Sequence, residues 1–325
     1  MTLGDALRSD RSRNLDALRL VLAGAVIFSH AWPLALGPGA PEPLEDWTGR
    51  ALGGWAVGGF FFISGMLITA SAQRSGTARF WAARARRIVP GLFVALLATL
   101  VLALAGGATP GSAEVLAWFA RAITLISIEH RLTGAFAANP YPEVVNGPLW
   151  SLSHEVLAYV LCALFVRAGG ARRPATVLAF AALAGAAGMA EGILPGRLAT
   201  FAPLFAAFAL GMAVYLWRDR IVLTPGVLAL GMGLGVLLPW QLAVAAAGFC
   251  LVALALLAPL PRLKHDASYG MYIYGWPVAQ TIVAVSPQID PLPLAILSIA
   301  ATYPLALISW SLVERPGLAA RKAPA

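Results

Sequence analysis

Ten stretches of mostly apolar residues, each close to the length of a membrane-spanning helix, dominate this chain. They lie at roughly 15–36, 51–72, 87–106, 148–168, 175–194, 199–217, 222–239, 241–259, 267–286 and 291–313. A helix needs about 20 such residues to cross a hydrocarbon core of ~30 Å. In lipid every backbone N–H and C=O must be satisfied inside the protein, which leaves helices as the spanning element for runs of this length. The expectation is therefore an all-α fold: a polytopic membrane helical bundle of about ten transmembrane helices. Composition agrees, since 59% of the 325 residues are hydrophobic and 12% charged, against roughly 45–50% and about 25% in soluble domains. Disordered chains, coiled coils and collagen-like repeats need other biases and are excluded.

An eleventh stretch, 114–128 (EVLAWFARAITLISI), is apolar but short and carries Glu114 and Arg121. Its length suits a re-entrant or interfacial segment. Charge then sets the orientation. With ten crossings and both termini cytoplasmic, the inner face holds Arg8, Arg11, Arg13, Arg19, Arg74, Arg79, Arg84, Arg86, Arg87, Arg167, Arg172, Arg173, Arg218, Arg220, Arg262, Lys264, Arg315, Arg321 and Lys322. That is nineteen of the 23 basic residues, and only Arg50, Arg121, Arg131 and Arg197 lie outside. If 114–128 crossed as well, every later loop would change sides and the asymmetry would collapse. The net charge of +8 thus reports topology, and no nucleic-acid partner is expected.

The polar and basic opening, MTLGDALRSDRSRNLDALR, makes the first apolar run an uncleaved span rather than a signal peptide. Residues 1–325 read as a single integral-membrane domain, with no repeat and no appended soluble domain. Cys162 and Cys250 sit inside apolar runs as small buried hydrophobes. Neither a disulfide framework nor a metal site is expected.

Ionisable groups inside spans are costly and mark functional sites. Arg19 and His30 on the first span are eleven residues apart, three turns plus about 20°, so they share one face with a rise of roughly 16 Å. His30 reads either as a hydrogen-bonded packing residue or as a general base, since imidazole titrates nearest neutrality of the common side chains. Arg84 and Arg87 lie three apart on one face at the entrance of the third span, with Arg86 beside them. They are either ordinary inner-face charge or the forked donors that a phosphate-bearing molecule requires. NGPLWSLSHE places Asn146, Trp150, His154 and Glu155 at the outer mouth of the fourth span, with Ser151 and Ser153 as candidate caps. Glu155 reads as an inert interfacial charge or as a partner for His30 or a sugar hydroxyl. Tyr269, Tyr272, Tyr274 and Trp276 suggest an interfacial aromatic belt or a stacking platform. Glu314 and Arg315 are expected to reach the cytoplasm, and the glycines of GGWAVGGFFFISGML to allow close helix approach.

Taken in order, these stretches resemble acyltransferase family 3, membrane-bound O-acyltransferases of bacterial surface carbohydrates. The resemblance runs from the Arg-x10-His spacing of Arg19 and His30 through SGML at Ser64–Leu67 and the RxxR of Arg84 and Arg87. It continues through NGPLWSLSHE, SYGMYIYGWPV at Ser268–Val278 and SLVERP at Ser311–Pro316. One departure stands out: many members carry a histidine in the YIYGWP segment, where this chain has Gly275.

The resemblance implies transfer of an acetyl group from cytoplasmic acetyl-CoA to a sugar hydroxyl of a polysaccharide or lipid-linked glycan, in the bacterial cytoplasmic (inner) membrane. It implies catalytic roles for His30, Glu155 and Arg19, and donor binding by Arg84, Arg87, Arg86 and Ser64. Trp150, Asn146 and Asp46 fall on the acceptor side. No metal is implied, and the partners are acetyl-CoA, the sugar acceptor and membrane lipid. Two other readings remain open: a small-solute transporter, which would place charges on several spans, and a non-catalytic component of a polysaccharide assembly complex.

Overall fold

A computed structural model describes residues 1–125, 131–260 and 263–319. Each of the ten apolar runs folds as a helix. These are α2 (Asn14–Leu36), α4 (Leu52–Arg74), α5 (Thr77–Ala105), α7 (Trp150–Arg167), α8 (Pro174–Met189), α9 (Arg197–Leu216), α10 (Pro225–Leu237), α11 (Trp240–Leu257), α12 (Ser268–Val285) and α13 (Pro291–Ser309). Short helices α1 (Leu3–Arg8), α3 (Glu45–Thr48), α6 (Ser112–Thr124) and α14 (Arg315–Ala319) complete the set, and no strand forms among the described residues.

Among the described residues, seven helices are long and apolar enough to cross a membrane. Of the remaining runs, α8 has 16 residues and α10 has 13, and a 13-residue helix rises only about 20 Å. The eleventh stretch folds in part as α6, whose 13 residues bury Trp118 and Ala122 and leave Leu116 72% exposed. Residues 126–128 of that stretch lie outside the described residues. Large apolar side chains stand exposed along the helices, among them Val101, Leu164, Leu183 and Val236. A soluble protein does not present that much apolar surface, and a lipid-facing one must. The chain is a multi-pass helical membrane protein.

The chain divides into two compact units. The first comprises Met1–Leu22, Gly54–Phe80 and His154–Leu263. Its backbones pack closely because small residues sit at the crossings. A Cβ on Gly65 would lie 2.0 Å from the Phe208 carbonyl oxygen, and one on Gly211 would lie 2.1 Å from that of Phe62. The contact between α4 and α9 is thus reciprocal, glycine against backbone, as helix association in membranes favours. The N-terminal residues are part of this unit. Thr2 and Asp5 form a capping box on α1, and the Leu3 N–H donates to the Ile221 carbonyl at 2.8 Å. Asn14 Nδ2 donates to the carbonyls of Ala255 (2.8 Å) and Ala258 (3.1 Å), and Arg11 to that of Leu256. These satisfy carbonyls that the end of α11 would otherwise leave open.

The second unit comprises Ala23–Gly53, Trp81–Ser153 and Lys264–Ala325. Its core joins Ala31 and Leu34 of α2 to Val144, to Trp276, Ala279 and Val283 of α12, and to Leu294 and Ala295 of α13. The aromatic residues of α12 form no interfacial belt. Tyr269, Tyr274 and Trp276 are each at most 9% exposed, because their polar tips find partners inside the protein. Trp276 Nε1 donates to the Val144 carbonyl at 2.8 Å and the Tyr269 hydroxyl to that of Ile88 at 2.9 Å. Gln280, fully buried, donates to the carbonyls of Tyr141 and Val144 and accepts from Asn139. Glu314 also departs from expectation: it does not reach solvent. The chain loosens into a π-helical turn at Trp310–Glu314, where Glu314 is 1% exposed and accepts from Ser309. Of the pair, Arg315 is the exposed one.

Candidate active site

His30 lies on the last two turns of α2, in the second unit. Its ring meets Trp276 edge-on, with centroids 5.3 Å apart. It opens on a narrow, largely apolar pocket walled by Ile27, Pro148, Tyr272, Gly275 and Trp276. The Tyr272 hydroxyl donates to the Pro148 carbonyl at 2.6 Å and shares a 2.5 Å hydrogen bond with Ser151. Ser151, expected to cap its helix, is instead committed to this hydroxyl. Gly275 is the position where the family resemblance leads one to expect a histidine. A Cβ there would fall 2.6 Å from Ile27 Cγ1, so the pocket has no room for a second imidazole unless Ile27 moves.

The carboxylate beside His30 is Glu42. Its Oε2 stands 3.6 Å from His30 Nδ1, with the two side chains 19% and 24% exposed. That is an ion-pairing distance and too long for a hydrogen bond. The Ser29 hydroxyl donates to the same Oε2 and itself accepts from the Gly53 N–H at 2.8 Å. The loop reaches back because Gly37 and Gly39 take left-handed φ values of 102° and 86°, which cost glycine little. The Leu52 N–H then pins the loop to the Pro43 carbonyl at 2.7 Å. Burial works against the charge on Glu42. The His30 imidazole and the Ser29 hydroxyl outweigh it and hold the carboxyl below its ordinary value of 4.5.

Glu155 belongs to the first unit and has different company. Its Oε1 accepts from Ser64 at 2.8 Å and from Tyr159 at 2.5 Å. One hydrogen bond therefore joins SGML to NGPLWSLSHE, two of the sequence stretches singled out above. His154, read as interfacial, is 6% exposed and bonds Thr200 through Nε2 at 3.0 Å. Arg19, half-buried, stands 3.9 Å from Asp16 one turn earlier on α2.

The three candidate donor-binding arginines differ from one another. Arg87 Nη2 is bound to Asp266 at 2.5 Å, and its guanidinium lies 5.7 Å over the Trp310 ring and 6.0 Å over that of Tyr269. A phosphate would have to share this fork with Asp266. Arg84 is half-buried and Arg86 is exposed on the same turn. Of the acceptor-side candidates, Asn146 is buried and donates to the Ile273 carbonyl at 2.9 Å. Trp150 is half-buried, and Asp46 is exposed on α3.

A histidine that lines a narrow apolar pocket and stands beside a half-buried carboxylate, in a bundle of long apolar helices, is an arrangement suited to a membrane-embedded enzyme. The particular class follows from the comparisons: the chain matches the acyltransferase domain of family 3 over residues 12–311 and belongs to that family. It is an acyltransferase. It is 30% identical to Nodulation protein 10 of Rhizobium leguminosarum bv. viciae, over 96% of this chain and 95% of that protein. It is 29% identical to an O-acetyl transferase of Shigella phage Sf6, over 94% of this chain and 96% of the relative. No solved structure matches it.

Sequence reasoning singled out His30 but passed over Glu42, Ser29 and Tyr272 as its neighbours. Glu42 follows His30 by twelve residues, across a Gly- and Pro-rich loop (GPGAPEP). A turn that short keeps the carboxylate near the end of α2, and this was the available signal.

Proposed function

We propose that the enzyme is an O-acetyltransferase of the bacterial cytoplasmic membrane. It moves acetyl from cytoplasmic acetyl-CoA to a sugar hydroxyl of an exopolysaccharide, a lipopolysaccharide or a lipid-linked glycan. The observation that carries this reading is His30, lining its apolar pocket with Glu42 beside it, on a chain whose relatives include an O-acetyl transferase. His30 takes the proton of the acceptor hydroxyl, the oxygen gains the acetyl group, and coenzyme A leaves as the thiol. A water-poor pocket favours this chemistry because it strengthens each charge interaction and limits hydrolysis of the thioester.

Arg84 and Arg86 bind the donor phosphates, with Arg87 sharing its fork between phosphate and Asp266. Trp150, Asn146 and Asp46 face the acceptor. The topology that goes with this reading has ten crossings with both termini in the cytoplasm, which puts the arginines on the donor's side. Acetyl analysis of the host's surface glycan tests it. Wild type restores acetylation to a deletion strain, and His30→Ala does not. Full acetylation by His30→Ala removes His30 from the mechanism, and unchanged acetylation in the deletion strain overturns the function.

A further inference from the structure

From the placement of Glu42 against Nδ1 of His30, we infer that Glu42 is a positioning residue for the reaction. It holds the imidazole in place and stabilises the positive charge that the ring carries during transfer, while Ser29 and the Gly53 N–H orient the carboxylate. This deepens the function proposed above and rests on it.

Three observations converge. Glu42 approaches one ring nitrogen, Nδ1, at 3.6 Å, which leaves Nε2 for the acceptor. The carboxylate is not a mobile surface acid: the Ser29 hydroxyl holds it, and Ser29 is fully buried and fixed in turn by Gly53. The ring also packs edge-on against Trp276, a second contact on the same imidazole. The contact is also asymmetric in charge. A neutral imidazole gains little from a carboxylate at 3.6 Å, whereas an imidazolium gains an ion pair in a partly buried setting. An interaction that strengthens only as charge develops lowers the barrier and leaves donor binding unchanged.

The charge balance holds on either chemical route. In direct transfer the acceptor O–H bond breaks as Nε2 takes the proton. The oxygen bonds the acyl carbon, the C–S bond breaks, and the proton passes to the departing thiolate. If the acyl group rests first on Nε2, the C–S bond breaks as the N–C bond forms, giving an acylimidazolium. The acceptor oxygen then takes the acyl group, and its proton goes to the thiolate. In both routes the ring is cationic between its first and last step, with Glu42 beside it.

The test uses the full chain in inside-out membrane vesicles of the producing cell, which carry the endogenous acceptor, supplied with radiolabelled acetyl-CoA. Label incorporated per unit of enzyme gives kcat and the KM for acetyl-CoA. Glu42→Gln is expected to lower kcat about 100-fold or more with KM within about twofold, in the range of acid–base contributions. Glu42→Asp, which keeps the charge on a shorter arm, recovers most of the loss. Ser29→Ala, which keeps the carboxylate but removes its donor, loses about tenfold. A Glu42→Gln enzyme with wild-type kcat, or with a raised KM alone, overturns the proposal. Should that variant fail to accumulate, an unchanged kcat in Ser29→Ala overturns it. Wild-type incorporation by His30→Ala would instead overturn the underlying reading of His30.

Discussion

Two carboxylates in this enzyme share one chemistry and are opposite in construction. Glu155 lies on a helix within an apolar run and is satisfied by the hydroxyls of Ser64 and Tyr159. Glu42 lies on a loop and is turned toward a base it does not fully engage. A carboxylate saturated by neutral donors contributes mainly to the stability of the helices that bear it. One held beside an ionisable ring contributes most when that ring becomes charged. The position of an acid in the sequence says little about which kind it is, and its partners decide it.

The widest separation between the two regions is expected in activity. His30→Ala should lower acyl transfer by at least about 10³-fold, near the upper part of the general-base range, with unfolding in denaturing detergent little changed. A large loss of stability alongside the activity would make His30 a packing residue and erase the contrast. Next in size is Gly65→Ala on the helix that carries Ser64. The new methyl meets the Phe208 carbonyl oxygen, and overpacking of this kind costs about 3 kcal/mol, readable as a lower denaturation midpoint. A neutral effect would mean that α4 and α9 can separate without penalty.

Glu155→Ala should cost about 2 kcal/mol, since two hydroxyls lose their acceptor. A double-mutant cycle with Ser64→Ala should then show coupling between the two residues. If Glu155→Ala instead abolishes transfer in a fully stable protein, Glu155 belongs with Glu42. The smallest effect is in pH. The Glu42 carboxyl titrates below its ordinary value of 4.5 in the folded state. Its contribution to stability is therefore complete above that value and fades as the pH falls through the lowered one. The melting temperatures of wild type and Glu42→Gln should differ near neutrality and converge in acid. A gap that persists there would assign the difference to loop packing.

Much of this was legible in the sequence, for reasons that separate the readable from the rest. Helices announce themselves by length and apolarity, so all ten runs fold where hydropathy put them. The glycine of SGML could be read as a site of close approach, because in lipid small residues have few other uses; its counterpart on α9, Gly211, was passed over. His30 stood out because lipid makes any ionisable group conspicuous. Glu42 did not stand out, since a carboxylate in a loop is ordinary until the fold returns the loop to its helix. Glu314 was misplaced for the related reason that closeness to the chain end suggested exposure, while the π-helical turn folds it inward. The α12 aromatics misled because aromatic tips seek either the interface or a buried carbonyl, and periodicity does not distinguish the two.

The strap that the N-terminal residues place across the end of α11 has a consequence for biosynthesis. Asn14 bonds Ala255, 241 residues further along. At typical rates of synthesis, about 5–20 residues per second, the first segment made waits roughly 10–50 s for its partner. During that interval the newborn chain holds a polar hook with nothing to catch. A bulky fusion ahead of Met1 would therefore be felt first in assembly yield, and only afterwards, if at all, in the finished enzyme.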